Sequence, residues 1–132
     1  MKRLLVLSIL VLGFSLSFLG SAGSSPANSN SATIKGWISD EGCARGRANG
    51  GTFTGTNPEC AKKCIASGAK MVLIAPDQRK LLTVANPSAA KANIGDFVEV
   101  TGSVEAKTKT VHIDTLKMLT KGAAMCDAPA KK

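Results

Sequence analysis

The 132-residue chain carries a formal net charge of +8, is 44% hydrophobic and only 4% aromatic, and has no Tyr. Its length fits one domain. A basic chain so poor in aromatic rings lacks the stacking platforms of a single-strand nucleic-acid binder, so no nucleic-acid partner is expected.

Residues 1–22 read as a secretory signal peptide. Met1-Lys2-Arg3 is a positive start, residues 4–19 are an apolar run interrupted by Gly13 and serines, and Gly20-Ser21-Ala22-Gly23 is a small-residue site that places cleavage after Ala22. The run is short and Ser-containing for a membrane span. The expectation is an exported chain, periplasmic or secreted. Loss of Lys2 and Arg3 takes the charge from +8 to +6. The remaining cations are spread along the chain and read as a solvated surface, suited to an anionic envelope surface as partner. Residues 23–32 (GSSPANSNSA) have no apolar periodicity and read as a flexible linker.

A first strand over residues 33–39 (TIKGWIS) puts Ile34, Gly36 and Ile38 on one face and Lys35 and Trp37 on the other. Gly36 within it marks a bulge or bend. Residues 40–57 read as a long loop with five glycines, tied down near its start by Cys43. Trp37, Asp40, Arg45 and Arg47, in and beside this loop, form a candidate ligand loop. Asn57-Pro58-Glu59 then starts a helix: a capping Asn, a Pro suited to the first position and an acid that complements the dipole. Gly68 stops it. Cys60 and Cys64, four residues apart, share a face of that helix.

Residues 71–75 (MVLIA) form a short apolar run between turn signals and read as a buried strand. Pro76-Asp77-Gln78 is turn chemistry, and residues 81–85 return as the next strand. A short Ala-rich helix follows from Asn86-Pro87 to about Asn93. The fourth strand covers residues 97–104, a hairpin turn lies at Lys107-Thr108, and the fifth strand covers residues 110–119. Val111 and Ile113 have one parity and Leu116 and Met118 the other, which predicts a bulge near Asp114-Thr115. Residues 121–132 read as a polar tail that holds Cys126.

This order predicts a mainly β domain over residues 33–120: a small five-stranded OB-like barrel with an inserted short helix and another short helix between strands three and four. An open five-stranded α+β sheet is the alternative. The stretches GWISDEGC, ECAKKCIASGAKMVLI and GDFVEVTGSV resemble a family of small exported bacterial proteins of unknown function with an OB-like barrel. The resemblance covers about residues 34–119. It rests on Ser39-Asp40 with Cys43, and on Cys60-x-x-x-Cys64 followed by Gly68. Family members often carry a His in the loop after the first cysteine; Arg45 and Arg47 stand in that region here. The resemblance implies a fold and no activity.

Three chemistries are open to Cys43, Cys60, Cys64 and Cys126. In an oxidising compartment an even set of four reads as two disulfides. Cys60 and Cys64 are poor partners for each other, because Cβ vectors one turn apart on a helix run side by side. The fifth strand of the expected topology ends at the same end of the barrel as the first. Cys126 is therefore expected to bond a cysteine of the cluster, with Cys43 taking one helical cysteine. Which helical cysteine goes where is open. Four thiolates could instead hold a metal ion, although the CxxxC spacing is not a zinc knuckle. A thiol-redox role would use Cys60, in the first turn of its helix. His112 reads as an exposed strand residue, and no pair of side chains suggests catalysis. The expected protein is a monomeric, disulfide-stapled binding or envelope-associated module, without a cofactor and without enzyme activity. Metal binding by the cysteines and thiol-redox chemistry are the alternatives.

Overall fold

A computed structural model describes residues 30–122. Its centre is a five-stranded sheet closed into a ring. The strands are β1 (Asn30–Asp40), β2 (Met71–Ala75), β3 (Lys80–Val84), β4 (Phe97–Glu105) and β5 (Thr110–Thr120). Around the ring the order is β1-β2-β3-β5-β4. All neighbours are antiparallel except β3 and β5, which pair in parallel through Thr83 with Thr110 and Val84 with Val111. β1 is shared between two partners. It lies along β4 from Asn30 opposite Val104 to Trp37 opposite Phe97, then passes to β2, ending with Asp40 opposite Met71.

Alternation fills the ring. Ile34 and Ile38 of β1, Leu73 of β2, Leu82 of β3, Val98 and Val100 of β4 and Val111 and Ile113 of β5 point inward and form one core cluster. β2 differs from its neighbours because all five of its residues are buried. Met71, Leu73 and Ala75 join the central core, whereas Val72 and Ile74 join a second cluster with Ala44 on the outside of the sheet. The uninterrupted apolar run MVLIA is the signature of a strand covered on both faces.

The cover on the outer face is a helix where a Gly-rich loop was expected. Residues 41–49 form α1 (Glu41–Asn49), so the loop shrinks to residues 50–57. Gly42 and Gly46 lower its intrinsic helix propensity. Two local contacts and one burial offset that cost. The Asp40 carboxylate caps the helix, its Oδ2 accepting from the Cys43 amide at 2.9 Å. Glu41 pairs with Arg45 one turn on, Oε1 to Nη2 2.6 Å. Ala44, 1% exposed, packs on the outer face of β2.

The second helix, α2 (Pro58–Ala66), starts as its sequence dictates. Asn57 Oδ1 accepts from the amides of Glu59 (3.0 Å) and Cys60 (3.1 Å), with Pro58 at the head of the helix. One expectation needs correcting. The first strand begins at Asn30, not at Thr33, because β4 is long enough to pair with residues 30–32 of the expected linker. The short helix expected before β4 is found, as a 3-10 helix over Pro87–Asn93, and no side chain caps it. Asn86 is used elsewhere: its amide nitrogen donates to the Ile113 carbonyl (2.8 Å) and its Oδ1 accepts from the Ile113 amide (2.9 Å).

The bulge in β5 falls where the change of parity put it. Thr115 lies opposite Thr101 and Ile113 opposite Gly102, which leaves Asp114 as the extra residue. The bulged strand comes so close to Gly102 that any Cβ there would strike the His112 carbonyl.

The central core makes the ring testable. Leu73 is fully buried. Leu73→Ala is expected to lower unfolding free energy by about 2–5 kcal/mol, read as a shift of the urea midpoint at unchanged slope.

Candidate functional site: a sulfur cluster on a buried carboxylate

β1 ends in two buried polar residues. Ser39 is fully buried, and its hydroxyl makes a short hydrogen bond with Thr56 that ties the loop of residues 50–57 to the strand. Asp40 is 1% exposed. Its Oδ2 caps α1, and its Oδ1 has no hydrogen-bond partner. A buried carboxylate oxygen without a donor is costly, and its surroundings show what it faces.

Three thiols gather there. Cys43 lies in the first turn of α1, Cys60 in the first turn of α2 and Cys64 one turn further along α2. Asp40 and Cys60 act on the Cys43 thiol, and Asp40, Cys60 and Cys43 act on Cys64, so the three sulfurs and the carboxylate are electrostatic neighbours. All three cysteines are free, and no disulfide joins them. The Cys43 thiol is pushed up to about 12, first by burial, then by the Asp40 charge and hydrogen bond, then by Cys60. Cys64 is also raised, by burial first and the Asp40 charge second. These two sulfurs therefore stay protonated at neutral pH, which makes them poor nucleophiles. Cys60 is the exposed member of the three. Among the described residues no group of three or more His, Cys, Asp or Glu side chains is placed to hold a metal ion.

The last described residues lie against the start of α2. The Gly122 amide donates to Asp96 Oδ1 at 2.8 Å, and a Cβ on Gly122 would stand 3.1 Å from Cγ of Pro58, the first residue of α2. β5 does run the same way as β1, since both are antiparallel to β4. The expected bond from Cys126 to the cluster lies outside the described residues.

The four residues of the expected ligand loop do not share a surface. Trp37 is half-buried and tilts against Phe97, ring centres 5.0 Å apart. Asp40 is interior. Arg47 donates to the Thr54 hydroxyl at 3.1 Å. Arg45 borders a cleft of about 570 Å³ between α1 and the β2–β3 and β4–β5 hairpins. The cations of that cleft, Arg79, Lys80 and Lys109, read in the sequence only as scattered charge. His112 is exposed and lies 3.4 Å from Asp114, as a surface residue does. No family model, no curated protein and no solved structure matches the chain. Among the described residues no helix is long and apolar enough to cross a membrane.

The protonated thiols set two expected outcomes for the reduced, metal-free protein. Cys43 should alkylate far more slowly than Cys60 at pH 8, and Asp40→Asn should speed it, because the substitution removes a charge that favours the protonated form. Peptide mass spectrometry after timed iodoacetamide treatment reads both. The sign for stability follows from the raised value. Stability contributed by the Cys43 proton is complete below its ordinary value of 9.0 and is lost as pH rises towards about 12. Urea midpoints measured between pH 8 and pH 12 should fall steadily across this window.

Proposed function

We propose that this is an exported, OB-like module that binds one thiophilic metal ion through Cys43, Cys60 and Cys64. The observation that carries the reading is the unpartnered Oδ1 of Asp40 beside three thiols. A disulfide among these cysteines would be neutral and would offer that oxygen no donor. A cation relieves both features that keep the thiols protonated, because it neutralises the carboxylate's field and draws the protons off the sulfurs it binds. As placed, the side chains form no ligand set, so binding requires the three thiols to turn towards a common point. Zn²⁺ suits such a set, with three thiolates and a fourth ligand completing a tetrahedron.

Two sources of the fourth ligand fit the chemistry. Asp40 can turn its free oxygen inward. Cys126 is the other: the four residues after Gly122 span about 13 Å when extended, a length that leads back to the first turn of α2. The OB-like reading draws on the strand order, the antiparallel pairing of β1 with β4, the parallel pairing of β3 with β5, and the helical segment between β3 and β4. Export draws on the signal-like start of the sequence.

The test uses the full chain, expressed with its own leader and recovered without chelator or reductant. Native mass spectrometry should find one metal ion per chain. Loading with Co²⁺ should give the near-ultraviolet absorption of sulfur-to-cobalt charge transfer, and Cys60→Ser should abolish it while the protein stays folded. A chain lighter by the hydrogens of two disulfides, with no metal, would overturn this reading in favour of a covalent staple. In that case Cys126→Ser would free one partner thiol and cost about 2–4 kcal/mol of stability.

A further inference from the structure

The two hairpins of the ring are built alike, and the likeness is informative. Each has a four-residue loop: Pro76 to Arg79 between Ala75 and Lys80, and Ala106 to Lys109 between Glu105 and Thr110. In the first, the Arg79 amide donates to the Pro76 carbonyl at 3.1 Å, closing a turn. The fourth residue of each loop is left-handed, Arg79 at φ 50° and Lys109 at φ 53°, and these are the only non-glycine residues of positive φ among the described residues. Glycine fills that conformation without steric cost, and Asn is the usual substitute. Here both positions carry long cations instead, and both line the same cleft.

The cleft is charged in one sense. Lys80 joins Arg79 and Lys109 in its lining, and none of the three has an ion-pair partner among the described residues. Its one acid, Glu41, is taken by Arg45, with Oε1 accepting at 2.6 and 3.0 Å. The Arg79 guanidinium lies 5.2 Å from the centre of the Phe53 ring, which holds it across the cleft from the hairpin to the loop after α1.

We infer that this cleft binds an anionic polysaccharide, a run of uronic acid units whose carboxylates meet Arg79, Lys80 and Lys109. A guanidinium fork fits a carboxylate edge to edge. Gln78 and Thr108, also in the lining, present polar groups suited to sugar hydroxyls. A nucleic acid fits less well, because Phe53 is the only aromatic residue in the cleft lining and its ring is already engaged by Arg79. A lipid surface fits less well because the large exposed apolar side chains, Met118 and Leu119, sit at the far end of β5 from Lys109.

The test exploits the left-handed positions. Arg79→Gly with Lys109→Gly removes two cleft charges while easing the backbone, so the melting temperature should hold or rise. Binding of oligogalacturonate, measured by calorimetry at low salt, should weaken about tenfold. Arg79→Asn with Lys109→Asn should behave in the same way. Lys91→Ala with Lys117→Ala removes equal charge outside the cleft lining and should leave binding unchanged. The inference is overturned if wild-type protein does not bind oligogalacturonate, if the two sets of variants lose affinity equally, or if oligothymidylate or phosphatidylglycerol vesicles bind more tightly than the sugar.

Discussion

The hydrogen bond from the Cys43 amide to the Asp40 carboxylate is the joint on which the molecule turns. It ends β1, starts α1 and places the first sulfur. Without a cap at this point, a nine-residue helix with two internal glycines has little reason to form. Without α1, Val72 and Ile74 on the outer face of β2 would lose the cover of Ala44. One buried carboxylate thus serves the fold through Oδ2, and through Oδ1 it creates the electrostatic setting of the thiols.

Much of this was legible in the sequence, for reasons that lie in individual residues. Asn57-Pro58 specifies a helix start by local chemistry alone, and that start is found. The parity change between Ile113 and Leu116 can be satisfied only by an extra residue, and Asp114 is that residue. The covalent spacing of Cys60 and Cys64 on one helix fixes their common face. α1 was not legible, because Gly42, Gly46, Gly50 and Gly51 are loop residues by any local measure. The cap at Asp40 and the Glu41–Arg45 pair are local, but they offset those glycines only together with a tertiary contact, Ala44 buried against β2. The run MVLIA held the missing clue: a strand with no polar face requires a cover on its outside, and Ala44 of α1 supplies it.

The cleft was illegible for another reason. Arg79, Lys80 and Lys109 come from two hairpins that the ring brings side by side through the parallel pairing of β3 and β5. Parallel neighbours are distant in sequence, so nothing local marks their turns as companions. Even so, the turn positions carry a signal that sequence can give once the hairpin length is known. A four-residue loop closes with a left-handed residue, and a long cation at that place, twice, departs from what the backbone prefers.

The two sites lie on opposite sides of one small helix. Cys43 stands in its first turn towards α2 and the carboxylate, whereas Arg45, Ala48 and Asn49 border the cleft. α1 contributes little to the core besides Ala44. Its position is therefore set by its two ends and by what they touch: Asp40 at its start, and at its close the Arg47 contact to Thr54 in the loop that Ser39 and Thr56 pin to β1. A helix held in this way transmits constraint readily. Only Ala44 separates Cys43 from Arg45, so one short element carries both the cluster side and the wall of the cleft. The cluster and the cleft are separate in chemistry and joined in mechanics, and the joint is again the cap at Asp40.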